Sequence, residues 1–433
     1  RPIVNRESRI VNWPREVACS HFVFRPSPLP RRRIARMDWN DSPEQARFRA
    51  EVRELIETRL PERYRLGGAG ERAWEFDRKS PDPAARKAAM DWHAALAERG
   101  WVAPHWPKEY GGAGMSAMEQ FVLNQEMARA GAPGVGGSGL SMLGPTIILH
   151  GTEEQRRKYL PPILAGEVTW AQGYSEPGAG SDLASLQTRA VRDGDEFVLN
   201  GQKIWTSAAH SSDAIFALVR TDPEAPKHRG ISFLLIDDIR TPGISVRPLI
   251  DMGGRHYFNE VFFEDVRVPA ANLVGELDRG WYVAMTLLDF ERSNIGGAVG
   301  ARRTLARLIE VIGSDPGLSA RVARSPVRHE IAQRYIETEV MYQFSLRIIS
   351  MQNRGQLPND EASAAKLYNS ELSQRLAQTC MQVLGLQGNV MEGSEESSFA
   401  RLYIGMVPAT IRGGTSEVQR NVIATRGLGL PRA

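Results

Sequence analysis

Residues Phe197–Trp205, FVLNGQKIW, place Asn200-Gly201 between two apolar runs. Asn-Gly in that setting is the strongest short-range hairpin signal, because both residues tolerate the left-handed backbone of a two-residue turn. The sequence that follows is of the same kind. Ala214–Arg220 (AIFALVR), Gly230–Asp238 (GISFLLIDD) and Asn259–Pro269 (NEVFFEDVRVP) are rich in β-branched and aromatic residues and are separated by turn residues. A small β domain is therefore expected from Thr169 to about Leu277.

On either side the apolar period changes from two to helical. Upstream, Ser42 is a candidate N-cap, Pro43 suits the first helical position and Gln45 closes a capping box. Phe48, Val52, Leu55 and Ile56 then share one face. Pro83–Gly100 is Ala-rich and ends on a glycine, a helix with its usual stop. Downstream of Gly280, amphipathic stretches cover Trp281–Gly313, Val327–Arg354 and Asp360–Leu384. The expected organisation is α+β: a helical domain over 37–168, a β domain over 169–278 and a second helical domain over 279–433. No internal repeat is visible.

At 433 residues the chain is long enough for two or three packed units. Its 54 Lys and Arg against 51 Asp and Glu leave a net charge of only +3, which predicts no nucleic-acid partner. Two cysteines, Cys19 and Cys380, cannot form a disulfide framework, so a reducing, cytoplasmic setting is expected. No apolar run approaches the ~20 residues of a membrane span. Residues 1–36 are Pro- and Arg-rich without apolar periodicity and are followed by Met37. They are expected to be a leader outside the fold, with Met37 the natural initiator.

Several site signatures fail. Gly134–Gly139 (GVGGSG) fits G-x-G-x-x-G but follows a helical pattern, not a strand, and reads as a loop. The eight histidines lack metal-ligand spacing, so no metal is expected. There is no G-x-S-x-G elbow. Two stretches remain. Tyr174–Asp182 (YSEPGAGSD) concentrates Ser175, Gly178, Gly180 and Ser181 in one turn, exposing backbone N–H groups and hydroxyls suited to a polar cofactor edge, or forming a plain interdomain turn. Trp205, Thr206 and Ser207 close a strand, and a lone Trp there is more often core than platform. A third stretch, Ala409–Arg426 (ATIRGGTSEVQRNVIATR), reads as a glycine loop entering a helix, with Ser416 and Gln419 at capping-box spacing. Nothing at its tip takes a proton.

Taken in order, APHWPKEYGG, YSEPGAGSD, NGQKIWTS, FEDVRVPAANLVGE, LLDFER and GGTSEVQRNVIA resemble the acyl-CoA dehydrogenase family over nearly all of Met37–Arg432. The resemblance implies an N-terminal helical domain, a middle β-barrel-like domain and a C-terminal four-helix bundle. It also implies non-covalent FAD and a homotetramer or homodimer, with a heteromer as the variant. By that resemblance Ser175 bonds the flavin ring, with Tyr174 its backbone neighbour, and Ser181 lies near the FAD pyrophosphate. Trp205 covers the isoalloxazine and Ser207 lies near N5. Gln382 and Gly385, in QVLGLQGN, meet the pyrophosphate of a neighbouring subunit's FAD, and Thr415 and Glu417 contact the adenylate. In such sites the cofactor carries the redox chemistry while protein sets orientation and electrostatics. The Arg-x-x-Phe-Gly of many members is missing from Arg321–Arg334 (RVARSPVRHEIAQR), and Arg324 and Arg328 are the candidates for that contact. The LQGN turn also departs from the usual Gly-Gly.

The implied reaction is that of fatty-acid β-oxidation: an acyl-CoA becomes a trans-2-enoyl-CoA, and an electron-transfer flavoprotein or similar acceptor takes the electrons. It needs a carboxylate within reach of the α-proton. Many members supply it from Glu-Gly-Thr, where this chain has Gly413-Gly414-Thr415. Others, the isovaleryl-CoA and long-chain types among them, supply it from a Glu-Arg pair on a C-terminal-domain helix, here Glu291-Arg292. Glu291 is accordingly the expected base, against the ordinary fate of a solvated helix acid. The Gly413 N–H is the implied donor to the thioester oxygen, a role that needs no side chain. Arg292 and Arg412 are the candidate substrate contacts. The bare Gly413 hints at a branched or bulky acyl chain. The rival readings are a non-catalytic subunit of a heteromer and a flavin oxidase or monooxygenase on the same fold.

Overall fold

The β domain is one eight-stranded sheet. Its strands are β1 (Trp170–Gly173), β2 (Arg189–Asp193), β3 (Glu196–Lys203), β4 (Ala214–Arg220), β5 (Ile231–Ile236), β6 (Ile244–Ile250), β7 (His256–Pro269) and β8 (Leu273–Val274). The order is β6-β7-β3-β2-β4-β5-β8, with β1 parallel to β4. The structure is a computed structural model and describes residues 41–65, 73–289, 295–356, 358–391 and 397–431. The expected leader lies outside the described residues. Pro43–Ala433 is one compact unit by its contacts.

Every residue of β5, and all of β4 but Arg220, is buried, which explains their unbroken apolar runs. Phe216, Leu218, Phe233 and Leu235 belong to the core shared with Tyr159, Ile163 and other residues of the N-terminal helices. Ile215, Ala217, Val219, Leu234 and Ile236 face the opposite way, into a second core with Phe197, Leu199, Val261 and Phe263. The period of two thus feeds two cores rather than one core and solvent.

Asn200-Gly201 is not the hairpin turn. The β2–β3 hairpin closes at Gly194-Asp195, with Asp193 paired to Glu196 and Gly194 at φ +62°. Asn200 and Gly201 lie inside β3, where the register against β7 shifts between Leu199 and Gly201, a bulge. The residue types fit that job. Asn200 Nδ2 donates to Asp265 Oδ1 at 2.9 Å, and Asp265 N donates back to Asn200 Oδ1 at 3.0 Å. A Cβ at Gly201 would lie 2.7 Å from Thr188 Cα.

The flanking helices begin and end largely as their caps and periods suggest. Pro43–Arg59 starts at the proline and buries Val52, Leu55 and Ile56, with Phe48 packed against that core. Pro83–Ala97 buries Trp92 and five other residues on one face. Within the expected helix over Trp281–Gly313 the described residues are helical over Gly280–Asp289 and Ile295–Ser314, and 290–294 lie outside the described residues. A short helix, Pro316–Ala323, was not legible from periodicity and is capped by the Asp315 carboxylate. Val327–Gln352 and Asp360–Leu384 are the long helices of the C-terminal domain, and Ser397–Met406 packs on the second. Among the described residues no helix is long and apolar enough to cross a membrane, and no group of His, Cys, Asp and Glu could hold a metal.

Candidate active site

The turn after β1 and the segment after β3 are joined. Ile204 N donates to Ser175 O at 2.9 Å, and Lys203 Nζ donates to Tyr174 O at 3.2 Å and to Glu176 Oε1 at 2.6 Å. Lys203 is fully buried and Glu176 is 8% exposed. The Glu176 carboxylate also accepts from Gln187 N (2.6 Å) and Thr188 N (2.9 Å). Burial opposes charge on Glu176, but the Lys203 charge and these donors outweigh it and hold the carboxyl below its usual range. Burial lowers the Lys203 ammonium to about 8, against the opposing pull of the Glu176 carboxylate. Sequence reading missed Lys203; its signal was a cation inside an apolar run.

Tyr174 is turned inward, its ring edge-on to Phe216 at 5.9 Å, so only its backbone borders the turn. Ser175 is half-buried, whereas Gly178, Gly180 and Ser181 are exposed. Cβ atoms at Gly178 and Gly180 would meet nothing within 4 Å, so this side of the turn is open. Trp205 is not core: it is 59% exposed, at φ +59°, and touches Phe258 edge-to-face at 5.9 Å. Ala208 is also left-handed, at φ +54°. A bulky residue in that region costs about 1–2 kcal/mol, a strain that persists only where the surroundings enforce it. They do so here. Thr206 is locked by a two-way backbone bond to Asn259 (3.0 and 3.1 Å) and by Asn259 Nδ2 (2.9 Å), and Ala208 N donates to Tyr257 O at 2.9 Å. His256 and His210 in turn donate to Asn259 Oδ1. The buried Thr206 hydroxyl has no partner among the described residues.

A second group gathers on the C-terminal helices. Thr415 and Glu417, with Glu371, Gln374, Arg375 and Gln378, line a cleft of about 400 Å³. Thr415, not Ser416, is the N-cap of the Ser416–Val422 helix: its Oγ1 accepts from Val418 N at 3.2 Å. Gln419, expected to complete a box, instead donates to Gly413 O at 3.3 Å. The Glu417 carboxyl is held below its usual range by its own backbone N–H and the Thr415 hydroxyl. Gly413 and Gly414 are left-handed, at φ +62° and +85°, and a Cβ at Gly413 would enter open space. Arg412, beside them, is exposed.

Gly385 ends the Asp360–Leu384 helix at φ +58°, and Gln382, one turn earlier, is exposed. Of the basic residues near that turn, Arg321 bonds the Val383 carbonyl, and its guanidinium lies 3.8 Å from where a Gly385 Cβ would be. Arg324 and Arg328 are exposed. Glu291 and Arg292 lie outside the described residues. No hydrogen bond among the described residues links the β-domain group to the C-terminal one.

Three domain models match in chain order: the acyl-CoA dehydrogenase N-terminal domain over residues 42–167, the middle domain over 171–266 and the C-terminal domain over 278–428. The chain belongs to the acyl-CoA dehydrogenase family and is an oxidoreductase of that class. Acyl-CoA dehydrogenase IpdE1 of Mycobacterium tuberculosis is 38% identical over 395 residues, 89% of this chain and 97% of its own. The solved structure named "Tcur3481-Tcur3483 steroid ACAD" is 37% identical with a TM-score of 0.78, covering 92% of this chain and 100% of that one. The ChsE4-ChsE5 complex from Mycobacterium tuberculosis is 36% identical with a TM-score of 0.77, over 92% and 100%. The family is generally FAD-dependent and acts on acyl-CoA.

Proposed function

We propose that this chain binds FAD and dehydrogenates a bulky, ring-bearing acyl-CoA between Cα and Cβ, with Glu291 as the base. The residues present fit the cofactor. Trp205 offers an exposed indole on a strained backbone, Ser175 is tied alongside it, and the open side of Gly178 and Gly180 leaves room for a large polar ligand. Tyr174, Ser175, Ser181, Trp205 and Ser207 would hold the flavin end; Thr415 and Glu417, and Gln382 and Gly385 across a subunit boundary, would hold the adenylate and pyrophosphate. When bound, FAD supplies the acceptor for the β-hydride.

The chain's own groups do the rest. Glu291 takes the α-proton, the Cα–H electron pair becoming the new double bond as the β-hydride departs. Gly413 N–H donates to the thioester oxygen as negative charge develops there. Arg292 and Arg412 would contact substrate. The observation that carries the assignment is Gly413: a left-handed glycine opening on empty space, where a base would otherwise stand. The same vacancy, with a relative named for steroids, favours a bulky acyl group. Glu291→Gln should retain FAD and acyl-CoA binding and slow anaerobic flavin reduction by about 10²–10⁴-fold. Near-normal bleaching in stopped flow would remove Glu291 from the mechanism.

A second reading concerns assembly. Two of the relatives above are named as pairs of chains, and this chain lacks Arg-x-x-Phe-Gly. A heteromer, with a partner chain completing the pyrophosphate site, is therefore favoured over a homotetramer. Flavin content and native mass of the chain purified alone decide between them. Electrons are proposed to pass to an electron-transfer flavoprotein.

A further inference from the structure

We propose that Lys366 is the positioning residue of the Gly413–Gly414 turn, a half-buried cation that holds the turn's backbone against the acyl thioester and strengthens it as an oxyanion donor. The inference rests on the reading that Gly413 N–H meets the thioester oxygen.

Lys366 lies on the Asp360–Leu384 helix, next to the fully buried Ala365. Its Nζ donates to Gly414 O at 2.5 Å and to Ala409 O at 3.4 Å, two carbonyls on opposite arms of the loop. Two amides complete the harness. Gln374 Nε2, two turns along the same helix, donates to Val407 O at 2.9 Å and to Met406 O and Thr410 Oγ1 at 3.2 Å each. Gln419 Nε2 reaches Gly413 O at 3.3 Å and Gly414 O at 3.5 Å. The loop's carbonyls are thus drawn towards the helices. Among the described residues the N–H groups of Gly413 and Gly414 have no acceptor, which is what a donor awaiting an external oxygen requires.

Gly413 and Gly414 are the least restrained residue type, and both adopt the left-handed region. An unheld Gly-Gly turn samples many conformations, and misplacement by about 1 Å can cost about 10²-fold in rate. A neutral donor would fix the turn. An ammonium also places a charge behind it that favours negative charge developing in front, in a partly dry site where such fields act strongly. Burial lowers the Lys366 ammonium, as does the Arg412 charge, while Glu417 opposes the shift.

The test uses holoenzyme and a 3-thia-acyl-CoA, whose acidified α-proton can be lost although the analogue cannot be dehydrogenated; loss of the proton appears as new long-wavelength absorbance. Lys366→Met should keep FAD content, thermal midpoint and KM near native. It should weaken deprotonation of the analogue, and lower kcat, by about 10- to 100-fold. Lys366→Arg, which keeps the charge, should restore part of both. Native-like deprotonation in Lys366→Met overturns the proposal. So does loss of FAD or stability in proportion to activity, because the lysine is then merely structural. If native enzyme itself fails to deprotonate the analogue, the underlying reading of the site fails instead.

Discussion

Replacing Lys203 by Met removes the ammonium that ties the Tyr174 turn to the segment carrying Trp205. Methionine nearly matches the lysine stem in volume, so packing is preserved and the loss is electrostatic. The side chain is fully buried, and its removal leaves the Glu176 carboxylate, 8% exposed, without its counter-charge. Breaking a buried pair from one side costs about 3–5 kcal/mol. Glu176 keeps the Gln187 and Thr188 N–H donors, which places the expected loss near the low end, about 3 kcal/mol. For a folded unit running from Pro43 to Ala433 that is about 4 °C in thermal midpoint. Adding Glu176→Gln removes the orphaned charge while keeping an acceptor for one backbone N–H. The double variant should therefore be more stable than Lys203→Met alone, with a coupling of about 1–3 kcal/mol. Chains of this length often unfold irreversibly, so the three variants and the native protein are compared at one scan rate and in urea. FAD retention should fall in the same order. A Lys203→Met midpoint within about 2 °C of native, or a double variant no better than the single, would refute the argument that this pair holds the two walls together.

Two further outcomes follow from the same geometry. Glu176, Asp213 and Glu126 all have carboxyls held below their usual range despite burial, by Lys203, by Lys79 and Thr169, and by Arg53 and Arg49. The unfolded chain therefore takes up protons first, and stability present above the ordinary carboxylate range (4.5 for Glu) should fall as pH drops below it, read as the thermal midpoint between pH 7 and pH 3. Trp205→Gly should leave the FAD-free protein as stable as native or about 1 kcal/mol more stable, since the indole is 59% exposed and glycine relieves the left-handed backbone; the same variant should retain FAD poorly in visible absorbance, and a large loss of FAD-free stability would mark Trp205 as core.

The architecture was legible because periodicity is a local signal. β4 and β5 announced themselves as unbroken apolar runs, the Pro43 helix by its first residues and the Pro83 helix by its alanines and closing glycine. Asn200-Gly201 misled because the same residue types that make a type I′ turn also make a bulge; what chose the bulge was Asp265 on β7 and the close approach of Thr188, both distant in sequence. The Thr415 cap was misplaced by one residue for a similar reason, since Thr415 and Ser416 are equally able acceptors and only the arriving Gly-Gly turn decides which one stands outside the helix. The positions proposed to face the cofactor were readable only through family resemblance, since an exposed Trp and a core Trp have the same letter. The scaffolding cations were not read at all.

Lys203 and Lys366 belong to different domains, yet each solves the same problem. Each is a buried or partly buried ammonium that donates to a backbone carbonyl of a turn: Tyr174 O for the first, Gly414 O for the second. Each turn, or the segment bonded to it, contains left-handed residues, Trp205 and Ala208 on one wall, Gly413 and Gly414 on the other. Strained or unrestrained backbone of this kind does not hold itself, and apolar packing alone holds it weakly, because packing is non-directional. A charged donor is directional, and in a low-dielectric interior it is strong. Placing such donors behind the two turns leaves their front faces held: the Trp205 indole largely exposed, and the Gly413 N–H without an acceptor among the described residues. That is the condition under which a ligand rather than the protein completes them.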